Sequence, residues 1–155
     1  MKKSFVLTIG FCFAIIAIIF SSCKHGCGSA SEASQHNSNN SHYSGLNCFN
    51  CHSGTGEGTS CFAVAGTVFD KNKSGTKSNP TVRLYSKPDG AGVLIKTIEG
   101  DELGNFYDGN ADGLGVRFYP VVISPNGSIQ KMLEPITTGA CNSCHGITTD
   151  RIWVD

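Results

Sequence analysis

The sequence predicts a mainly β protein, built as a small antiparallel sandwich with a short cysteine-bearing segment on either side. Three observations predict it. Between residues 61 and 135, short apolar runs are separated by turns rich in Gly, Pro, Asn and Asp. Glycine is frequent, at 19 residues, which suits tight turns better than helices. No stretch of 30 residues carries the apolar period of an amphipathic helix. The 155 residues include 12 basic and 12 acidic side chains, so the net charge is zero and no basic field exists to attract nucleic acid.

Residues 1–23 form an export signal. Lys2 and Lys3 precede an apolar run from Phe5 to Phe20, too short to span a bilayer, which needs about 20 apolar residues. Cys12 lies inside that run. The run ends in Phe20-Ser21-Ser22-Cys23, which resembles a bacterial lipoprotein box with Phe20 where Leu is usual. The resemblance implies cleavage before Cys23 and acylation of Cys23, and so contact with a membrane through a lipid anchor. The alternative is an uncleaved N-terminal anchor with Cys23 as an ordinary thiol. Either way the rest of the chain lies outside the cytoplasm, at the outer membrane or cell surface or facing the periplasm.

Residues 24–46 are rich in Ser and Asn and poor in large apolar side chains, which predicts a flexible tether. Residues 47–60 hold the first cysteine segment. The strands follow: 62–69, 81–86, 93–99, a short one at 104–107, then 116–124 and 128–133. In the fifth, Val116, Phe118 and Val122 alternate with Arg117, Tyr119 and Val121. Lys87-Pro88-Asp89-Gly90 and Pro125-Asn126-Gly127 are turns. Residues 136–155 hold the second cysteine segment.

The chemistry lies in Cys48-Phe49-Asn50-Cys51-His52 and Cys141-Asn142-Ser143-Cys144-His145, both Cys-x-x-Cys-His. This pentapeptide is the pattern of c-type haem attachment. Two thiols three positions apart, Cys48 with Cys51 and Cys141 with Cys144, can add across the two vinyl groups of one macrocycle. The adjacent His52 or His145 then supplies the proximal ligand to iron. Two haems c per chain follow. The alternatives are two disulfides or redox pairs, or a zinc site made of the four cysteines. The histidines discriminate. With 5 His in 155 residues, one after each pair by chance would occur roughly one time in a thousand.

Candidates for the distal ligands are His42, six residues before Cys48, then His36, and Met132, nine residues before Cys141. A Met ligand would raise the reduction potential relative to two histidines. His25 lies beside the presumed anchor, and a ligand from a neighbouring molecule would link haems between subunits. Cys27 and Cys61 remain, and in an oxidising compartment they are predicted to form a disulfide. Asp108-Gly109-Asn110-Ala111-Asp112-Gly113 has the start of a calcium loop but no acidic residue at its twelfth position, Tyr119, and reads as an Asp/Asn/Gly turn. No Ser-His-Asp or paired-carboxylate set is visible.

The strand region resembles the carboxypeptidase regulatory-like, or transthyretin-like, β-sandwich family over residues 62–133. The matching pieces are Val64 to Asp70, Thr81 to Tyr85 and Gly100 to Tyr107. The resemblance implies an Ig-like, non-catalytic scaffold flanked by two haem-c-binding segments. The two pentapeptides, with Thr138 to Gly146 around the second, resemble multihaem c-type cytochrome lipoproteins with a sandwich between two haem motifs. That resemblance implies an electron carrier of the bacterial cell envelope rather than an enzyme. Its partners would be redox proteins or an extracellular electron acceptor, in a homo-oligomer or filament if haems are relayed between molecules. Two other readings stand beside it: a non-redox surface binding or adhesion module, and a haem enzyme acting on a small molecule.

Overall fold

The computed structural model describes residues 32–115 and 117–155. The expected signal, the expected acylation site Cys23, Cys27, His25, the first part of the expected tether and Val116 lie outside the described residues. Among the described residues the fold is mainly β, with six strands in two antiparallel sheets. Strands β1 (Val64–Thr67) and β4 (Asn105–Asp108) pair in one sheet. The other has the order β3-β2-β5-β6, from β2 (Thr81–Tyr85), β3 (Leu94–Glu99), β5 (Tyr119–Ile123) and β6 (Ile129–Lys131). Every strand falls inside, or one residue beyond, a run picked out by its apolar pattern.

The alternation works where one face of a strand is covered. In β2, Val82 and Leu84 are buried while Arg83 points outward. They meet Val64 and Phe106 of the small sheet, with Ile98, Val122 and Phe118, in one core. In β5 the simple alternation fails, because Val121 and Val122 are both buried. The Pro88–Gly90 turn folds back over β5, and Gly90 lies against Val121. The second face of β5 is therefore covered as well. The β5–β6 hairpin closes as the Pro-Asn-Gly signal requires, with Gly127 at φ 88° and the Ser124 N–H donating to the Ser128 carbonyl at 2.9 Å.

Strand β1 is buried at all four positions, because segments outside the predicted sandwich cover it. Ala65 bridges in parallel to Ala140, and its N–H donates to the Gly139 carbonyl at 2.9 Å. Gly139 approaches so closely that a Cβ there would collide with the Ala63 carbonyl. Farther on, Phe69 bridges to Trp153, and the Val154 N–H donates to the Phe69 carbonyl. Val154 is fully buried in the core. The sandwich thus extends past residue 135 and incorporates the second cysteine segment.

Residues 32–46 also run along the sandwich rather than away from it. Ala33 bridges to Asp108, and the Ser34 N–H donates to the Tyr107 carbonyl at 2.9 Å. Ser34 Oγ donates to the Glu99 carbonyl at 2.5 Å. Asn105 Nδ2 reaches Ser41 Oγ at 2.8 Å and Ser44 Oγ at 3.0 Å. Their hold is polar, with small side chains satisfying the sheet edge, which is why an apolar count reads this stretch as a tether.

The Asp/Asn/Gly loop is a turn. Lys96 Nζ donates to Asp108 Oδ2 at 2.9 Å and to the Asn110 carbonyl at 2.5 Å. An ammonium thus lies where a calcium ion would need to be. Adding about 1 mM calcium is expected to move the melting temperature by less than about 1 °C, because only a ligand that binds the native state raises it. A rise of several degrees in a thermal melt would show a site here.

Candidate cofactor site

The two pentapeptides fold alike. Cys48–Asn50 and Cys141–Ser143 are both short 3-10 turns. In each, the carbonyl of the first cysteine accepts from the N–H of the second at 3.2 Å and from the N–H of the histidine, at 2.9 Å in the first and 3.0 Å in the second. The turn places two thiols and one imidazole on one loop. All four motif cysteines are free.

The histidines are oriented in the same way. His52 Nδ1 lies 2.8 Å from the Ser60 carbonyl, and His145 Nδ1 lies 2.6 Å from the Asp150 carbonyl. A carbonyl cannot donate, so each Nδ1–H is the donor, and in the neutral imidazole the lone pair then lies on Nε2. Among the described residues, no hydrogen bond falls on either Nε2. This is the arrangement a metal-ligating imidazole needs, with the remote nitrogen anchored and the other free. Gly58 permits it at the first site, because a Cβ there would lie 2.7 Å from His52 Nδ1.

Around the first motif, His52 stacks on Phe62 with ring centres 4.2 Å apart, and Phe62 stacks on Tyr107 of β4 at 4.6 Å. His42 lies on the same histidine, its ring centre 6.1 Å from that of His52 and tilted by 42°. His36 lies elsewhere, with Nε2 3.2 Å from the Pro80 carbonyl and 3.4 Å from Thr81 Oγ1.

Beside the second motif is a cavity of about 310 Å³. Cys141, Cys144 and His145 line it together with core residues Val82 and Phe106, and Met132 lines it too. It is largely apolar, as a macrocycle requires. Four free thiols, two anchored imidazoles and an apolar cavity fit covalently attached haem. Among the described residues, no three His, Cys, Asp or Glu side chains converge as a metal site of their own would need.

The motifs are 93 residues apart in sequence but adjacent in space, because both turns pack on β1. The clamp is Asn142, buried between the cysteines of the second motif. Its Oδ1 accepts from the Thr67 N–H at 3.2 Å, and its Nδ2 donates to the Leu46 carbonyl at 3.0 Å. Sequence reasoning missed Asn142, since the x positions of the pentapeptide carry no chemical requirement. Cys61 is disulfide-bonded, while its predicted partner Cys27 lies outside the described residues.

Burial raises the Cys48 thiol pKa. Burial, with the nearby Cys48 adding to it, pushes Cys141 up to about 12. Such a thiol is ionised about 1,000-fold less at pH 8 than one at 9.0. In the haem-free chain, iodoacetamide is therefore expected to label the exposed Cys51 and Cys144 well before Cys141, by at least about tenfold in rate. Peptide mass mapping against time reads this, and equal rates would contradict the packing on β1. Because folding raises this pKa, the folded chain holds the proton more tightly than the unfolded one. That contribution is present below about pH 9 and is lost as pH climbs towards about 12.

Compared with known protein families, curated proteins and solved structures, the chain matches none.

Proposed function

We propose that this chain is a dihaem c-type cytochrome that passes single electrons between redox partners at the bacterial cell envelope. The observation that carries the reading is the repeated loop, in which two free thiols stand beside an imidazole whose Nδ1 is anchored and whose Nε2 is free, formed twice by separate parts of the chain. Haem supplies reversible one-electron exchange at iron when bound. Cys48 with Cys51, and Cys141 with Cys144, each offer an S–H to add across a vinyl C=C. That addition forms one S–C and one C–H bond and needs no oxidant. His52 and His145 offer Nε2 to the irons. The resemblance of the pentapeptides to multihaem lipoproteins supports the same reading, as does the export signal.

The adjacency of the motifs gives the reading its shape. Two sites that share β1 as a floor suit relay within one molecule. Partners would be redox proteins or an extracellular acceptor, and relay could continue through an assembly. The cavity beside His145 favours one rival, a haem enzyme with an open iron.

The deciding experiment is a visible spectrum of the mature protein, oxidised and reduced, with a pyridine haemochrome count. Two low-spin haems per chain, unchanged by carbon monoxide, are expected. One that binds carbon monoxide would favour the enzyme. No haem, after expression with a working maturation system, would leave a colourless binding module.

A further inference from the structure

Resting on the dihaem reading, the geometry points to two sites with different axial ligands: His42 opposite His52 at the first motif, and Met132 opposite His145 at the second. Imidazole nitrogens bind a first-row metal at about 2.0 Å, which sets the centres of two rings on opposite sides of one iron about 6 Å apart. His42 and His52 are 6.1 Å apart, centre to centre. His36, the other described histidine in the N-terminal segment, is turned away to Pro80 and Thr81.

At the second motif the ligand set is different. Among the described residues, His145 is the one histidine lining the cavity, and Met132 is the one thioether. Met132 follows β6 directly, and its N–H donates to the Pro120 carbonyl at 3.0 Å, so the backbone that carries it is held to β5. Lys131 also lines the cavity but is exposed, on the solvent side of the chain. Met132 is partly buried and carries no proton to lose.

Two consequences follow for the electron. Thioether ligation stabilises ferrous iron and raises the potential relative to two imidazoles. The site beside the N-terminal segment is then the lower-potential one and the site in the cavity the higher. An electron entering at His42 and His52 runs downhill to the cavity across the shared strand β1.

The test uses the full dihaem protein in the ferric state. Near-infrared magnetic circular dichroism reports the charge-transfer band of a thioether–iron bond, and potentiometry reports the two midpoints. The expected result is that band at an intensity for one haem of two, with two resolved midpoints. Met132→Leu is expected to abolish the band while the pyridine haemochrome count stays at two. Met132→His is expected to lose the band, keep a low-spin iron and lower the higher midpoint only. His42→Ala is expected to leave the band intact and to make the other iron high-spin and reactive towards carbon monoxide. Two haems with no band in the unaltered protein, or a band that survives Met132→Leu, would overturn the assignment and leave the dihaem reading standing. A colourless protein would overturn both.

Discussion

On the dihaem reading, the double substitution Cys141→Ala with Cys144→Ala is expected to halve the haem content, from two per chain to one, and to leave the first site's spectrum in place. The two motifs have separate thiols and separately anchored histidines, so loss of one should not unmake the other's attachment. The larger effect is on stability. An apolar cavity costs about 24 cal/mol per Å³ when nothing fills it. For about 310 Å³ the upper bound is about 7 kcal/mol, reduced because the cavity reaches solvent at the exposed Cys144. A small domain has about 5–15 kcal/mol in total, so a chain lacking the second group should be marginal. A pyridine haemochrome assay and a denaturant melt on one sample measure both. Unchanged stability with half the haem would show that the cavity is not where the group packs.

Asn142→Leu is the second large effect. Asn142 is nearly isosteric with Leu and lies outside the attachment set, so both haems should still be attached. The substitution removes the partners of the Thr67 N–H and the Leu46 carbonyl. The Leu46 carbonyl, on an exposed residue, can turn to water, whereas the buried Thr67 N–H left without a partner costs about 1–3 kcal/mol, so about 1–3 kcal/mol is expected. The loss should fall on the joint between the motifs. Hydrogen exchange at Gly45, whose N–H donates to Thr67 Oγ1 at 2.8 Å, should quicken more than exchange in β2. If exchange rose evenly across the sandwich, Asn142 would be an ordinary core residue and not the clamp.

The sheet was legible because its signals are local. Val82 and Leu84 against Arg83, and the Gly127 hairpin, announce themselves within a few residues. So do the two pentapeptides. Their adjacency was not legible, since it depends on Gly139 and Asn142 meeting β1 from across the chain. The course of residues 32–46 was misread because Ser34, Ser41 and Ser44 bind by hydrogen bonds, which apolar patterning cannot see. Val121 lies on the face the alternation gives it, but its burial was not legible because the cover of that face is a turn, not a strand.

The burial of β1 under Gly139 and Val154 also sets an order of events during biogenesis. On the dihaem reading, thiol addition at Cys141 requires that sulfur to be within reach of a vinyl group, whereas docking of residues 139–154 onto β1 and Phe69 leaves it only partly exposed, in the wall of the cavity. Maturation and closure therefore race. A chain that folds early narrows access to its own second attachment site, so mutations that slow closure, such as Val154→Ala, should improve occupancy at the cost of a looser product.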